Sequence, residues 1–291
     1  MSIIKKTDSD SGGHWYGITT QGDTIPVYTM PCGPKAKNPT RKVSLRDAKK
    51  CAKEGLTYVL DEKEYNLTAM LPSVTTILGI LHKEALMNWI KNETALAAEA
   101  NPRETGEPTE AWLYRVKNAS GEKSRDAMDL GTAVHDGVEN LLIGEPVSDD
   151  MWPYVEPVSK WLREGSIKPT GREICISNPV EGYAGRGDLF FTWGSGMGEG
   201  YIDWKTQKNT PGKPFKQYET YGMQLAAYGV AHYGEQWLDS PAALAGNGFI
   251  STTETSRFEV VKTLNLRECY EAFLAACALW RFTKKLDPRI K

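Results

Sequence analysis

The chain has 291 residues, 40% hydrophobic and 25% charged, with 35 Lys and Arg against 37 Asp and Glu for a net charge of -2. That composition excludes disordered and collagen-like classes and allows one large or two small domains, and the balanced total charge does not announce a nonspecific polyanion coat, so the distribution of charge matters more. No run approaches the roughly 18 apolar residues of a spanning helix, and Met1 to Asp10 has no apolar stretch resembling a signal peptide. No membrane partner and a cytoplasmic location are therefore expected. The five cysteines (Cys32, Cys51, Cys175, Cys269, Cys277) are scattered and contain no C-x-x-C pair, so neither a disulfide framework, a zinc ribbon nor an iron–sulfur cluster is expected.

Residues 1–70 read as an N-terminal extension. Short strand-like pieces (His14 to Thr19, Thr24 to Thr29, Leu56 to Leu60) alternate there with Pro and Gly punctuation. Between Lys35 and Lys53 lie eight cations and one anion, Asp47; they either contact phosphates or form the solvated face of a helix. The tail from Arg281 to Lys291 is basic as well.

From Leu71 the pattern turns helical, with interruptions near Asn101-Pro102 and Gly106-Glu107-Pro108. Ser124 reads as the N-cap of a helix whose apolar positions Ala127, Leu130, Val134, Val138, Leu141 and Leu142 keep the 3.6-residue period up to Gly144. Gly131, His135 and Glu139 form a separate stripe at four-residue spacing. A helix from Asp150 to Glu164 precedes a meander of strands at Arg172 to Ser177, Gly187 to Trp193 and Gly200 to Thr206. The flexible connection 194–199 makes the last two an antiparallel hairpin. A helix from Phe215 to Tyr233, strands at Ala245 to Thr252 and Arg257 to Thr263, and a helix from Leu266 to Lys285 complete the chain. The fold class expected is α/β, a mixed central sheet flanked by helices, with a helical insert and the N-terminal extension.

The chemistry concentrates in Gly182-Tyr183-Ala184-Gly185-Arg186-Gly187-Asp188 and Ile202-Asp203-Trp204-Lys205. Strand alternation puts Asp203 and Lys205 on one side and Trp204 on the other. If the hairpin pairs as read, Asp188 approaches Asp203, and two like charges so placed call for a hard divalent cation, Mg2+ or Mn2+, as neutraliser. The backbone carbonyl of Trp204 offers a further oxygen ligand. An ammonium at Lys205 is placed to orient a water or to stabilise charge growing on a phosphate. An Asp-x-Lys pair on a surface strand is also commonplace, so the surrounding motifs decide its meaning.

Those motifs resemble the RecB-like branch of the PD-(D/E)XK nucleases. That family carries G-x-x-x-H in a helix, G-x-x-G-x-x-D, D-x-K in a strand and Q-x-x-x-Y in a helix. This chain has them in order at Gly131 to His135, Gly182 to Asp188, Asp203 to Lys205 and Gln224 to Tyr228. The resemblance runs from about Leu71 to Lys285, and Pro72-Ser73-Val74-Thr75 is similar to the opening of phage and mitochondrial exonucleases of this branch. It implies a restriction-endonuclease-like core over 71–291, with the active site at a sheet edge where the hairpin meets the His135 helix. His135, Asp188 and Asp203 would bind metal, and Lys205 would assist the nucleophilic water. Gln224 and Tyr228 would hold either the DNA backbone or the frame of the site. Glu173 lies where the family often has an acidic residue, and orders the metal water or merely caps a sheet edge; Glu139 stands beside the ligands or is simply an exposed helical carboxylate. Ser73 and Thr75 either contact a phosphate at a helix N-terminus or cap the helix.

The implied activity is a metal-dependent deoxyribonuclease, an exonuclease acting on free DNA ends in recombination, repair or replication, in a bacterial or phage-infected cell. A helicase or a single-strand-binding protein is the partner such a role would use. Two alternatives stand beside it. One is a nonenzymatic DNA-binding accessory protein on the same fold; the other is an HD-type phosphohydrolase built on His135-Asp136, to which only His82 and His232 could add imidazoles. The remaining cysteines, His14 and the tryptophans read as packing or surface residues.

Overall fold

The computed structural model describes residues 14–32, 37–38, 40–81, 84–196 and 198–290. The expectations for Met1 to Asp10, Lys35 and His82 lie outside them. Strands β1 (Trp15–Thr19), β2 (Thr24–Val27), β5 (Leu56–Leu60) and β6 (Lys63–Pro72) form an antiparallel sheet of order β2-β1-β6-β5, while β3 (Thr29–Pro31) pairs with β4 (Thr40–Lys42). The boundary read at position 70 falls inside β6. This strand runs on to Ser73, which bridges to Ala184, and Trp15 packs edge-on against Trp280 of the last helix with ring centroids 6.1 Å apart. The N-terminal segment thus shares a core with the rest of the chain.

Helix α1 (Leu45–Glu54) occupies the basic stretch. Its inward face is Ala48 and Cys51, and several of its cations point outward. Arg41, before the helix, and Lys50 within it are engaged with Asp47 and Glu54.

After α2 (Val74–Leu78) come α3 (Glu84–Ala100) and α4 (Thr109–Ile143), a helical pair interrupted where Asn101-Pro102 and Gly106-Glu107-Pro108 predict. Ser124 caps nothing. The helix read as starting there begins at Thr109 and runs unbroken through it, because residues 109–123 are mostly good helix formers and an interior serine costs only a few tenths of a kcal/mol. Helix α5 (Trp152–Glu164) follows.

The principal sheet contains β7 (Lys168–Asn178), β8 (Tyr183–Trp193), β9 (Gly198–Gln207), β10 (Leu244–Ser251) and β11 (Phe258–Lys262), in the order β11-β10-β9-β8-β7. Among its strands, β9 and β10 pair in parallel, joined through α6 (Glu219–Tyr233); β8 and β9 form the expected hairpin, Leu189 opposite Ile202 and Trp193 opposite Gly198. Alternation splits the two faces of the sheet. Leu189, Phe191, Ile202 and Trp204 meet Val134 and Val138 of α4 and Val155 and Val158 of α5. Phe190 and Tyr201 meet Leu225, Ala226 and Ala227 of α6 and, in the same core, Phe273 and Cys277 of α7 (Leu266–Lys284). Helix α6 starts four residues later than read, because Phe215 instead stacks on Phe249, ring centroids 5.1 Å apart. The chain is a mixed α/β protein with several sheets.

Asp47 anchors the start of α1. Its carboxylate accepts from Arg41 Nη1 and Nη2 at 2.7 and 2.5 Å and from the Ser44 backbone and hydroxyl at 2.9 and 2.7 Å. The Arg41 hydrogen bonds hold its pKa well below the usual carboxylate value of 3.8. A depressed folded-state pKa contributes stability that is full above the unfolded value and is lost as pH falls towards the folded one. Asp47→Ala is therefore expected to cost about 2 kcal/mol in urea denaturation at pH 7, and clearly less at pH 3.

Candidate active site

Asp203, Lys205 and Asp188 lie on interior strands of the principal sheet, not at its edge, because β10 and β7 flank the hairpin on either side. Continuing the register from Leu189 and Ile202 sets Asp188 opposite Asp203 on the face towards α6. Trp204 donates its N–H to Asp188 Oδ2 at 2.8 Å. Trp204 thus meets the site through its backbone nitrogen, a contact beyond the carbonyl named as a ligand.

Asp203 is 3% exposed. A buried carboxylate needs donors, and among the described residues it has three. Gln224 Nε2 of α6 donates to Oδ1 at 2.9 Å; Asn247 Nδ2 of β10 donates to Oδ2 at 3.1 Å; and Lys205 Nζ lies 2.5 Å from Oδ2. Burial pushes the Lys205 ammonium down, but Asp203 and Asp188 outweigh it and raise its pKa above the ordinary lysine value. The Tyr221 ring lies under the same ammonium, 5.3 Å from Nζ to the centroid. Asp188 is pushed well above the carboxylate range by burial first, then by the charges of Asp203 and Glu173, with Lys205 and the Trp204 N–H acting the other way.

His135 reaches this end of the sheet from α4. Ligand atoms of His135, Glu173 and Asp188 all lie within 4.8 Å of one another. A glycine one turn earlier allows that approach, since a Cβ on Gly131 would stand 2.9 Å from Thr206 Oγ1 of β9. Glu173 sits on the edge strand β7 with φ +47°, a left-handed conformation that strains a residue with a side chain. Arg186 holds it there, Nε 2.6 Å from Oε2 and donating to the Glu173 carbonyl at 3.1 Å. Glu139 acts on the same guanidinium from α4. Two nitrogen- and oxygen-based groups thus emerge where one was expected: a cluster of His135, Glu173 and Asp188, and Asp203 clamped by protein donors. In donor type the two carboxylates fit a hard divalent cation, and the imidazole adds a nitrogen donor better suited to a transition metal.

Gln224 and Tyr228 are 8% and 4% exposed, so they belong to the frame of the site, with Gln224 bonded to Asp203. The Tyr228 ring lies flush on Gly185, where a Cβ would be 2.3 Å from Cε1, which accounts for the glycine three residues before Asp188. Ser73 is buried and caps α2, accepting from Thr76 N at 3.0 Å; Thr75 is exposed on this five-residue helix. The capping alternative is the one seen for Ser73. Asp136 is exposed and stands outside the metal-competent cluster, and His232 is stacked on Phe190 at 4.0 Å.

Sequence reading missed Asn247 and Arg186. The first had a signal, an amide between two glycines inside the apolar strand Leu244-Ala-Gly-Asn-Gly-Phe-Ile-Ser251. The second lies within the glycine motif itself. No protein-family model matches the chain, and no curated protein matches it either.

The raised pKa of Asp188 fixes a sign. Its folded form favours the proton, so ionisation above the ordinary value of 3.8 weakens the metal-free fold progressively. Asp188→Asn keeps an acceptor for the Trp204 N–H and removes the charge. In calorimetry with chelator it is expected to melt higher than wild type at pH 7, the difference closing as pH falls towards 4.

Proposed function

We propose that the protein is a metal-dependent deoxyribonuclease on a restriction-endonuclease-like core, of the RecB-like PD-(D/E)XK type. One observation carries the reading. Lys205 Nζ rests 2.5 Å from a buried carboxylate two residues before it on the same strand, with a second carboxylate on the neighbouring strand. An isolated Asp-x-Lys pair would not have two amides on its carboxylate and, around the neighbouring Asp188, a glutamate and a histidine from other elements. The ordered motifs around Gly131, Gly182, Asp203 and Gln224 support the same assignment.

His135, Glu173 and Asp188 would hold a magnesium or manganese ion, and Asp203 keeps a lone pair for it, since three donors occupy about four carboxylate acceptor sites. Such an ion, when bound, polarises a phosphate oxygen and acidifies water. The protein groups divide the remaining work. Lys205, whose proton is held by two carboxylates, donates to an attacking water or to charge developing on the phosphate and does not serve as a base. Asp203 and Tyr221 restrict its direction. Gln224 and Asn247 keep Asp203 from turning towards the ammonium alone.

The substrate in this reading is DNA with free ends, digested in recombination, repair or replication, with a helicase or single-strand-binding protein supplying it. Wild type and Lys205→Ala are to be incubated with linear single-stranded, linear duplex and closed circular DNA, with magnesium or chelator. Magnesium-dependent loss of linear DNA alone, reduced about 100-fold or more by the substitution, is the expected result. Full cleavage by a folded Lys205→Ala protein would remove the assignment, and binding without cleavage of any substrate would favour an accessory DNA-binding protein.

A further inference from the structure

Asn247 stands in the centre of the principal sheet with no exposed surface. It pairs in parallel register with Asp203, so adjacent strands hold the two side chains abreast on one face. The orientation of its amide is decided by chemistry. Asp203 Oδ2 only accepts when ionised, so the NH2 must face it, as the 3.1 Å contact has it. The Oδ1 atom is thereby turned away, buried and without a hydrogen-bond partner among the described residues.

That arrangement is unfavourable as packing. A buried amide with its acceptor unmet weakens the fold, whereas an apolar β-branched side chain suits an interior strand position. Gly246 and Gly248 flank it, and the space above Gly248 is taken by the Trp204 ring, 2.5 Å from where a Cβ would be. The strand is thus shaped closely around the site, and its one polar interior side chain apart from Ser251 is spent on Asp203.

We propose that Asn247 is a positioning residue, which with Gln224 grips Asp203 by opposite oxygens and presents its remaining lone pair to the divalent ion. Gln224 holds Oδ1 and Asn247 holds Oδ2. With Asn247 gone, Oδ2 has only Lys205, a flexible ammonium that pulls the carboxylate along its own strand. The inference rests on the metal-dependent nuclease reading and extends it to a residue outside the four motifs.

The test uses the full chain and two substitutions that remove the donor in different ways. Asn247→Ala leaves space, and Asn247→Val fills most of it with a strand-compatible side chain. Manganese binding is measured by isothermal titration calorimetry, melting temperature by scanning calorimetry, and kcat and KM on linear DNA with magnesium. Both variants are expected to bind manganese roughly 10- to 100-fold more weakly than wild type, with a comparable fall in kcat, an unchanged KM for DNA, and a single cooperative melting transition retained by Asn247→Val. Wild-type manganese binding by both variants overturns the positioning role alone. Impaired binding confined to Asn247→Ala indicates a packing residue and overturns it too, as does failure of both variants to fold. Absence of manganese binding by the wild type overturns the metal reading, and this inference with it.

Discussion

Two carboxylates side by side in a protein interior repel each other and lose their hydration, and this constraint governs the centre of the molecule. Asp203 and Asp188 occupy facing positions of a hairpin in the middle of a five-stranded sheet. The surroundings treat them unequally. Asp203 has an ammonium and two amides, while Asp188 has one backbone N–H and faces a third carboxylate, Glu173. One carboxylate is stabilised by direct hydrogen bonds and an adjacent ammonium, and for the other burial and two neighbouring carboxylates outweigh Lys205 and the Trp204 N–H, so that its protonated form is favoured. Concentrating like charge at one end of the sheet costs stability there.

The rest of the architecture follows from supplying these groups from separate directions. Packing α4 and α5 on one face of the sheet and α6 and α7 on the other leaves the strand ends as the meeting point for side chains from both layers. His135 arrives from one layer and Gln224 from the other. The glycines of the motifs are spaces: Gly131 lets α4 close on β9, and Gly185 receives the Tyr228 ring. Arg186, bonded to Glu173, holds a strained edge residue beside the cluster.

Much of this was legible in the sequence where periodicity and chemistry coincided. The hairpin around Asp188 and Asp203 follows from alternation and a glycine-rich connection, and the interruptions before α4 follow from Pro and Gly. What failed to show was long-range. Ser124 looked like a cap because capping preference is local, whereas helix continuation depends on the absence of any breaker upstream. The boundary at position 70 split β6, since its register with β1 involves partners some fifty residues away. Expecting the site at a sheet edge failed for the same reason, as only the parallel pairing of β10 with β9 makes β9 interior. Asn247 is that same parallel register seen from the other strand.

The crossover through α6 has a further consequence for how the centre comes together. Gln224 and Asn247 lie 21 and 44 residues from the carboxylate they grip, within one strand–helix–strand unit. Loop-closure entropy grows only slowly with length, so the longer of these closures costs about 0.6 kcal/mol more than the shorter. The grip on Asp203 is self-contained in that unit, whereas His135 and Glu173 are contributed by earlier segments of the chain. The carboxylate is thus neutralised by its own topological neighbourhood, and the repelling acids are brought to it by the remainder of the fold.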